Sequence, residues 1–379
     1  MRDPIYLDYN ATTPIDPAVL DAMLPYLQIH FGNPSSDHVY GYRARAAVAT
    51  AREQLAALLG AQPDEVIFTG GGSEANNLAL FGIAATRRTR GNHIITSTIE
   101  HPAVREPLRA LEYEGYRVTA VPVDQNGRID PAQVAAVITA ETILISIMHA
   151  NNEVGTIQDL RAIADLAHAR DILVHSDAAQ SVGKLPVRMD TLEVDLLTVA
   201  GHKLYAPKGV GALIVRRGVA LEPFIRGAGH EHGLRAGTEN VPYLVGLGQA
   251  AEIVGARLDT YQERTRSLRD ILHAAIRAAV PDALLNGHLT ERLPNTLNLS
   301  FPGVNAAALL ARIRDQVACS TGSACHAGHA EPSSVLLAMG REPALAAGAL
   351  RLSLGWDTTE AEVQASATVI AAAVHEERQ

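Results

Sequence analysis

The chain has 379 residues, 47% of them hydrophobic and 19% charged, with a formal net charge of -9. That length exceeds one ordinary domain, and the composition excludes a predominantly disordered chain. The acidic balance offers no broad basic footprint, so direct nucleic-acid binding is not expected.

The opening MRDPIYLDYN lacks the pattern of a secretory leader, and no uncharged apolar run reaches bilayer length. A cytoplasmic protein without membrane partners is expected. Short runs rich in Val, Ile and Leu then alternate with longer amphipathic stretches: EVIFT (65–69), HIITS (93–97), TILISIM (142–148), DILVHSD (171–177), DLLTVA (195–200) and GALIVRR (211–217). This α/β alternation predicts a largely parallel sheet, and the weak period-two pattern predicts strands covered on both faces. Residues 73–85 and 157–170 read as crossover helices. After about Gly255 the texture changes to an Arg-rich amphipathic helix, then NTLNLSF (295–301), then alanine-rich helices. A large domain over residues 15–255 and a smaller α+β domain from 1–14 and 256–379 are expected, packed together because no low-complexity linker separates them.

TGGGSEANN (69–77) follows a predicted strand and opens a helix, so its backbone amides and Ser73 are placed to hold a phosphate; equally, Ser73 is a plain helix cap. It is neither a GxGxxG fingerprint nor a Walker loop, which argues against dinucleotides and nucleoside triphosphates. Asp177 ends a predicted strand at the carboxyl edge of the sheet, with Gln180 one helical turn on. It reads either as the cap of the next turn or as the carboxylate partner of a protonated pyridine nitrogen. Only three lysines occur, Lys184, Lys203 and Lys208, and two of them fall in GHKLYAPKG (201–209). Arginine stays protonated and cannot replace a lysine that must form a Schiff base. Lys203 follows DLLTVA and emerges at the same edge as Asp177, whereas Lys208 precedes Gly209 at a strand entry, so Lys203 is favoured. A lysine, a carboxylate and a phosphate-holding loop at one edge are the contacts pyridoxal 5'-phosphate needs.

His101, in TIEHPAV (98–104), reads as a ring-stacking or proton-carrying residue or as a turn residue beside Pro102. Asn152 is placed to reach a substrate carboxylate or the cofactor's phenolate oxygen, and Arg351 has the planar fork that clamps a carboxylate. Cys325 lies in CSTGSACHAGHAEPS (319–333), where accessibility and the neighbouring His326 and His329 favour a thiolate. The set Cys319, Cys325, His326 and His329 matches no common zinc spacing, so no metal is expected.

YLDYNATTP (6–14), FGNPSS (31–36), TGGGSEANNLAL (69–80), MHANNEVGTIQ (148–158), HSDAAQSVGK (175–184), GHKLYAPKGVGAL (201–213), RAGTEN (235–240) and STGSACHAGHAEPSSVL (320–336) together resemble the cysteine desulfurases, in the class V branch of fold-type I pyridoxal phosphate enzymes. The resemblance runs nearly end to end. It implies Lys203 as the cofactor-bound lysine, Asp177 as the pyridine partner, His101 as the stacking residue and Gln180 as the contact to the ring oxygen. It further implies Gly72, Ser73 and His202 at the phosphate, joined by Thr238 from a neighbouring subunit of a homodimer. Asn152 and Arg351 match the substrate contacts and Cys325 the nucleophile that takes sulfur from L-cysteine as a persulfide, leaving L-alanine. The sulfur would pass to an acceptor protein, such as an iron-sulfur scaffold or a tRNA-thiolation partner. A selenocysteine lyase and a sulfur-carrier or scaffold protein with a weakened cofactor site are the alternatives. Ala200, where a phosphate-binding serine is usual, favours the last; Ala228, His230, His232 and Trp356 also depart from the usual pattern and bear on the partner surface.

Overall fold

The computed structural model describes residues 3–321 and 332–379, so Cys325, His326 and His329 lie outside the described residues. The backbone begins with a short strand, β1 (Ile5–Tyr6), and then alternates helices with β2 (Val66–Thr69), β3 (His93–Ser97), β4 (Arg117–Val121), β5 (Thr142–Ser146), β6 (Leu173–Asp177), β7 (Leu196–Ala200) and β8 (Gly211–Val215). These last seven form one sheet in the order β2-β8-β7-β6-β5-β3-β4, in which only β8 runs antiparallel to its neighbours. Every residue of β5, β6, β7 and β8 is buried, which accounts for the missing alternation in their sequences. β4 sits at the sheet margin with Arg117 and Ala120 exposed, and its mixed composition hides it among the apolar runs.

The crossover helices Gly72–Arg87 and Leu160–His168 fall where the pattern predicts. Local chemistry sets their starts. Asp159 caps the second through the N–H of Ala162, and Gly71 precedes the first at φ 146°, a conformation that a side chain would strain.

The rest of the chain adds a second layer built on β9 (Leu284–Asn286), β10 (Thr296–Ser300) and β12 (Ala349–Ser353), an antiparallel sheet in the order β12-β10-β9. β1 pairs in parallel with β11 (Val317–Ala318), which brings the N-terminal strand beside the stretch leading to Cys325. The 39-residue helix Val241–Ala279 runs through both parts. Leu244, Leu247 and Val254 enter the core under the large sheet, whereas Leu268, Leu272 and Ile276 enter the core formed with Leu297, Phe301 and Ile370. Position 255, where the sequence texture changes, lies inside this helix. Gly248 allows it to press against helix Val39–Leu59, since a Cβ there would meet Ala51 Cα at 2.5 Å. No helix among the described residues is long and apolar enough to cross a membrane.

Candidate active site

β2 runs parallel to β7 because β8 is antiparallel to both, so the carboxyl ends of β2, β3, β5, β6 and β7 share one edge. The turns leaving that edge enclose a cavity of about 510 Å³, a size suited to a cofactor. Gly72 and Ser73 follow β2, His101 follows β3, Asn152 follows β5, Asp177 and Gln180 end β6, and His202 and Lys203 follow β7; all line the cavity, together with Arg351 of β12. Thr238 is not on the wall of this cavity, and Lys208 is exposed outside it.

Asp177 is 7% exposed and makes the cap that one of its sequence readings expects. One oxygen accepts from the backbone N–H of Ala179 at 2.9 Å, capping the turn. The other accepts from Asn76 Nδ2 at 2.8 Å. Asn76 is itself buried, and its Oδ1 has no partner among the described residues. Lys203 Nζ donates to the backbone oxygens of Asn10 at 2.5 Å and Ala11 at 2.7 Å. Burial, reinforced by the Arg351 charge and opposed by Asp8 and Asp177, pulls its pKa down to about 8. A sizeable fraction of this amine is therefore neutral near physiological pH, unlike that of a solvated lysine.

At the opposite end, the N-terminus of the helix Gly72–Arg87 meets Ala200 and His202. A Cβ at Gly72 would lie 3.2 Å from Ala200 Cβ, so the wall is tight. Burial and then the nearby Lys203 charge lower the His202 pKa to about 4, leaving the ring neutral and hydrogen-bonded through Nδ1 to Thr12 Oγ1 at 3.2 Å. His101 caps its helix by accepting from Ala103 N at 3.1 Å through Nδ1, which assigns the proton of the neutral ring to Nε2. Burial depresses its pKa, Asp177 opposing.

Arg351, 5% exposed, pairs with Asp8 at 2.7 Å and donates to the Asn152 backbone oxygen at 3.2 Å, while its Nε has no partner among the described residues. Part of the fork is thus already engaged by a carboxylate. The flanks of the Cys325 stretch adjoin this end: Arg351 N donates to Ser320 O at 2.6 Å, and Ser333 Oγ donates to the buried Glu153 carboxylate at 2.5 Å. Burial pushes the Cys319 thiol up to about 12, so it stays protonated at neutral pH. Trp356, partly exposed, stacks on Tyr205 at 3.7 Å between centroids and packs against the large core. Asp8, Asn10 and Asn76 complete the site without having been singled out from the sequence; each lies inside a quoted motif, but nothing in spacing or charge sets it apart.

This donor set fits pyridoxal phosphate. A buried carboxylate backed by an amide suits a pyridinium, a partly neutral lysine suits an aldehyde, and a side-chain-free helix start suits a phosphate. Lys203, Asp177, Gln180, Gly72, Ser73 and His202 would hold it.

The chain matches the model of the aminotransferase class-V family over residues 5–365. It is 45% identical to "Cysteine desulfurase IscS" of Dictyoglomus turgidum over 98% of this chain and 94% of that one. A NifS-like protein of known structure superposes with a TM-score of 0.92 at 37% identity, covering 97% of this chain and 98% of that one. SspA, solved in complex with cysteine, superposes with a TM-score of 0.81 at 38% identity, covering 92% and 98%. The chain therefore belongs to the aminotransferase class-V family of pyridoxal phosphate enzymes, within its cysteine desulfurase group.

Proposed function

We propose that this protein is a cysteine desulfurase that converts L-cysteine to L-alanine and takes the sulfur onto Cys325 as a persulfide. The observation that carries the reading is the meeting of Lys203, its amine shifted toward neutrality, with the buried Asp177 in one cavity. Pyridoxal phosphate, when bound, supplies an electron sink that acidifies the substrate Cα–H and makes the sulfur open to attack. Asp177 would keep a proton on the ring nitrogen, Gln180 would contact the ring oxygen and His101 would pack on the ring. Gly72, Ser73 and His202 would hold the phosphate.

Asn152 and Arg351 orient the substrate carboxylate, Arg351 sharing its fork with Asp8. Lys203, as the neutral amine, accepts the Cα proton, and Lys203 and His101 return protons to carbon. The Cys325 thiolate attacks the substrate sulfur: an S–S bond forms, the carbon–sulfur bond breaks, and the electron pair left on carbon is protonated. The overall exchange, thiol plus cysteine giving persulfide plus alanine, is balanced in atoms and electrons. The site anchoring of Ser320 and Ser333 supports Cys325 as the thiol that reaches this end of the cavity.

The working unit is a homodimer. Leu27, Ile29 and Phe31 are 53%, 61% and 75% exposed beside Tyr40 and Tyr42, an apolar surface suited to a second copy. Thr238, absent from its own cavity wall, would reach the phosphate of that copy. The protein acts in the cytoplasm and passes sulfur to an acceptor protein, as in iron-sulfur assembly or tRNA thiolation. Ala200 favours a second reading, a sulfur carrier whose cofactor site has weakened; a purified protein that keeps the yellow cofactor colour contradicts it.

Cys325→Ser tests the main reading. The variant is expected to stay coloured while alanine formation from cysteine falls at least about a hundredfold. Undiminished turnover overturns the role of Cys325, and selenocysteine turnover that survives the substitution marks a selenocysteine lyase instead.

A further inference from the structure

Lys184 is unused by the reaction described above, yet it is 3% exposed at a cost that demands a reason. Its Nζ donates to Gln180 Oε1 at 2.8 Å and to Asn10 Oδ1 at 3.0 Å. Both acceptors are amide oxygens, and no carboxylate of the described residues forms an ion pair with it. A lysine ammonium has only donors, so in that state each amide turns its oxygen toward Nζ and its NH2 group away. The consequences are visible in the next contacts. Gln180 Nε2 donates to the backbone oxygen of Asn10 at 2.9 Å, the same oxygen that accepts from Lys203 Nζ at 2.5 Å. Asn10 Nδ2 donates to Thr296 Oγ1 at 2.8 Å and to the Asn152 backbone oxygen at 3.2 Å.

We infer that Lys184 is a positioning residue that fixes the flip of the Gln180 amide, so that an N–H rather than an oxygen faces the Lys203 end of the cavity where the cofactor's ring oxygen lies. This rests on the cofactor reading proposed above. An amide turned the other way presents an acceptor to the ring oxygen, repels its anion, and also loses the bond to the Asn10 backbone oxygen. The held N–H stabilises that anion, and the Lys184 ammonium, when charged, acts in the same direction. Both therefore favour loss of the proton shared between the ring oxygen and the Lys203 nitrogen. Burial, together with the charges of Lys203 and Arg351, lowers the Lys184 pKa well below that of an ordinary lysine.

The test is a pH titration of the visible absorption of the cofactor-loaded protein, with cofactor dissociation measured alongside. The charged groups around the chromophore, Asp8, Asp177, Arg351, His101 and His202, are the same in every variant. Lys184→Met is expected to raise the chromophore pKa by about one unit and to weaken cofactor retention about tenfold. Gln180→Leu should raise the pKa similarly, and the two changes together should shift it little further, as for residues acting through one contact. A Lys184→Met titration that coincides with that of the parent overturns the inference, and so does full additivity with Gln180→Leu. A parent-like titration of Gln180→Leu overturns it by itself, whether or not Lys184→Met folds. A parent protein that never acquires the visible band defeats the cofactor reading instead, so the two failures are distinguishable.

Discussion

Lys203 and Asp177 occupy neighbouring strand ends, but their protonation is set by what surrounds them. Lys203 rests on two backbone oxygens with no carboxylate in hydrogen-bond contact, so burial dominates and its pKa falls to about 8. The neutral amine is the form that attacks an aldehyde, and its fraction grows as pH rises through that value. Reconstitution of the cofactor-free protein with pyridoxal phosphate should therefore accelerate between about pH 7 and 9 and then level off, followed by the growth of visible absorbance. A rate that keeps climbing toward pH 10 would indicate an ordinary solvated lysine. Asp177, by contrast, is tied by Asn76 and by the Ala179 N–H, so capping the turn leaves the same carboxylate on the cavity wall where the proposed cofactor partner is needed.

The elements place these residues because each strand of the large sheet delivers its following turn to the same edge. Glu100 binds two of those turns together: its Oε1 accepts from Ser97 Oγ at 2.5 Å and from Met148 N at 3.0 Å, while burial raises its pKa to about 8. The folded protein therefore keeps a proton here that the unfolded chain, with an ordinary glutamate pKa, releases near pH 4 to 5. Stability from this group is lost as pH rises from there to about 8. Glu100→Gln, which keeps the accepting oxygen, should gain Tm relative to the parent as the pH is taken from 5 to 8, measured by thermal unfolding; a difference that does not change with pH would contradict the raised pKa. Strand ends of this kind were legible in the sequence because fully buried runs such as TILIS and LLTVA stand out. β4 was not, since Arg117 and Thr119 at a sheet margin give no apolar run. Nor was the continuity of Val241–Ala279, because the change of texture after about Gly255 read as a domain boundary although the helix runs through it. Asp8, Asn10 and Asn76 were invisible for a related reason: a short polar side chain reveals its partner only once the 101 to 343 positions that separate the two have been folded back.

Across the whole molecule the cavity lies between the large sheet and the second layer, with Asp8 and Arg351 reaching it from the second layer's strands. The exposed Leu27, Ile29 and Phe31 surface predicts a dimer of the 40.3 kDa chain. Phe31→Glu should shift the sedimentation of the protein toward the monomer and loosen the cofactor with it, since Thr238 would no longer be supplied by a neighbour; a variant that is monomeric yet retains cofactor as the parent does would remove Thr238 from the phosphate site. The account as a whole depends on a covalent bond between one particular amine and the pyridoxal aldehyde. Borohydride reduction of the coloured protein, followed by peptide mapping, should leave the reduced cofactor on the peptide that contains Lys203. Its recovery on Lys184 or Lys208, or on no lysine at all, would contradict it.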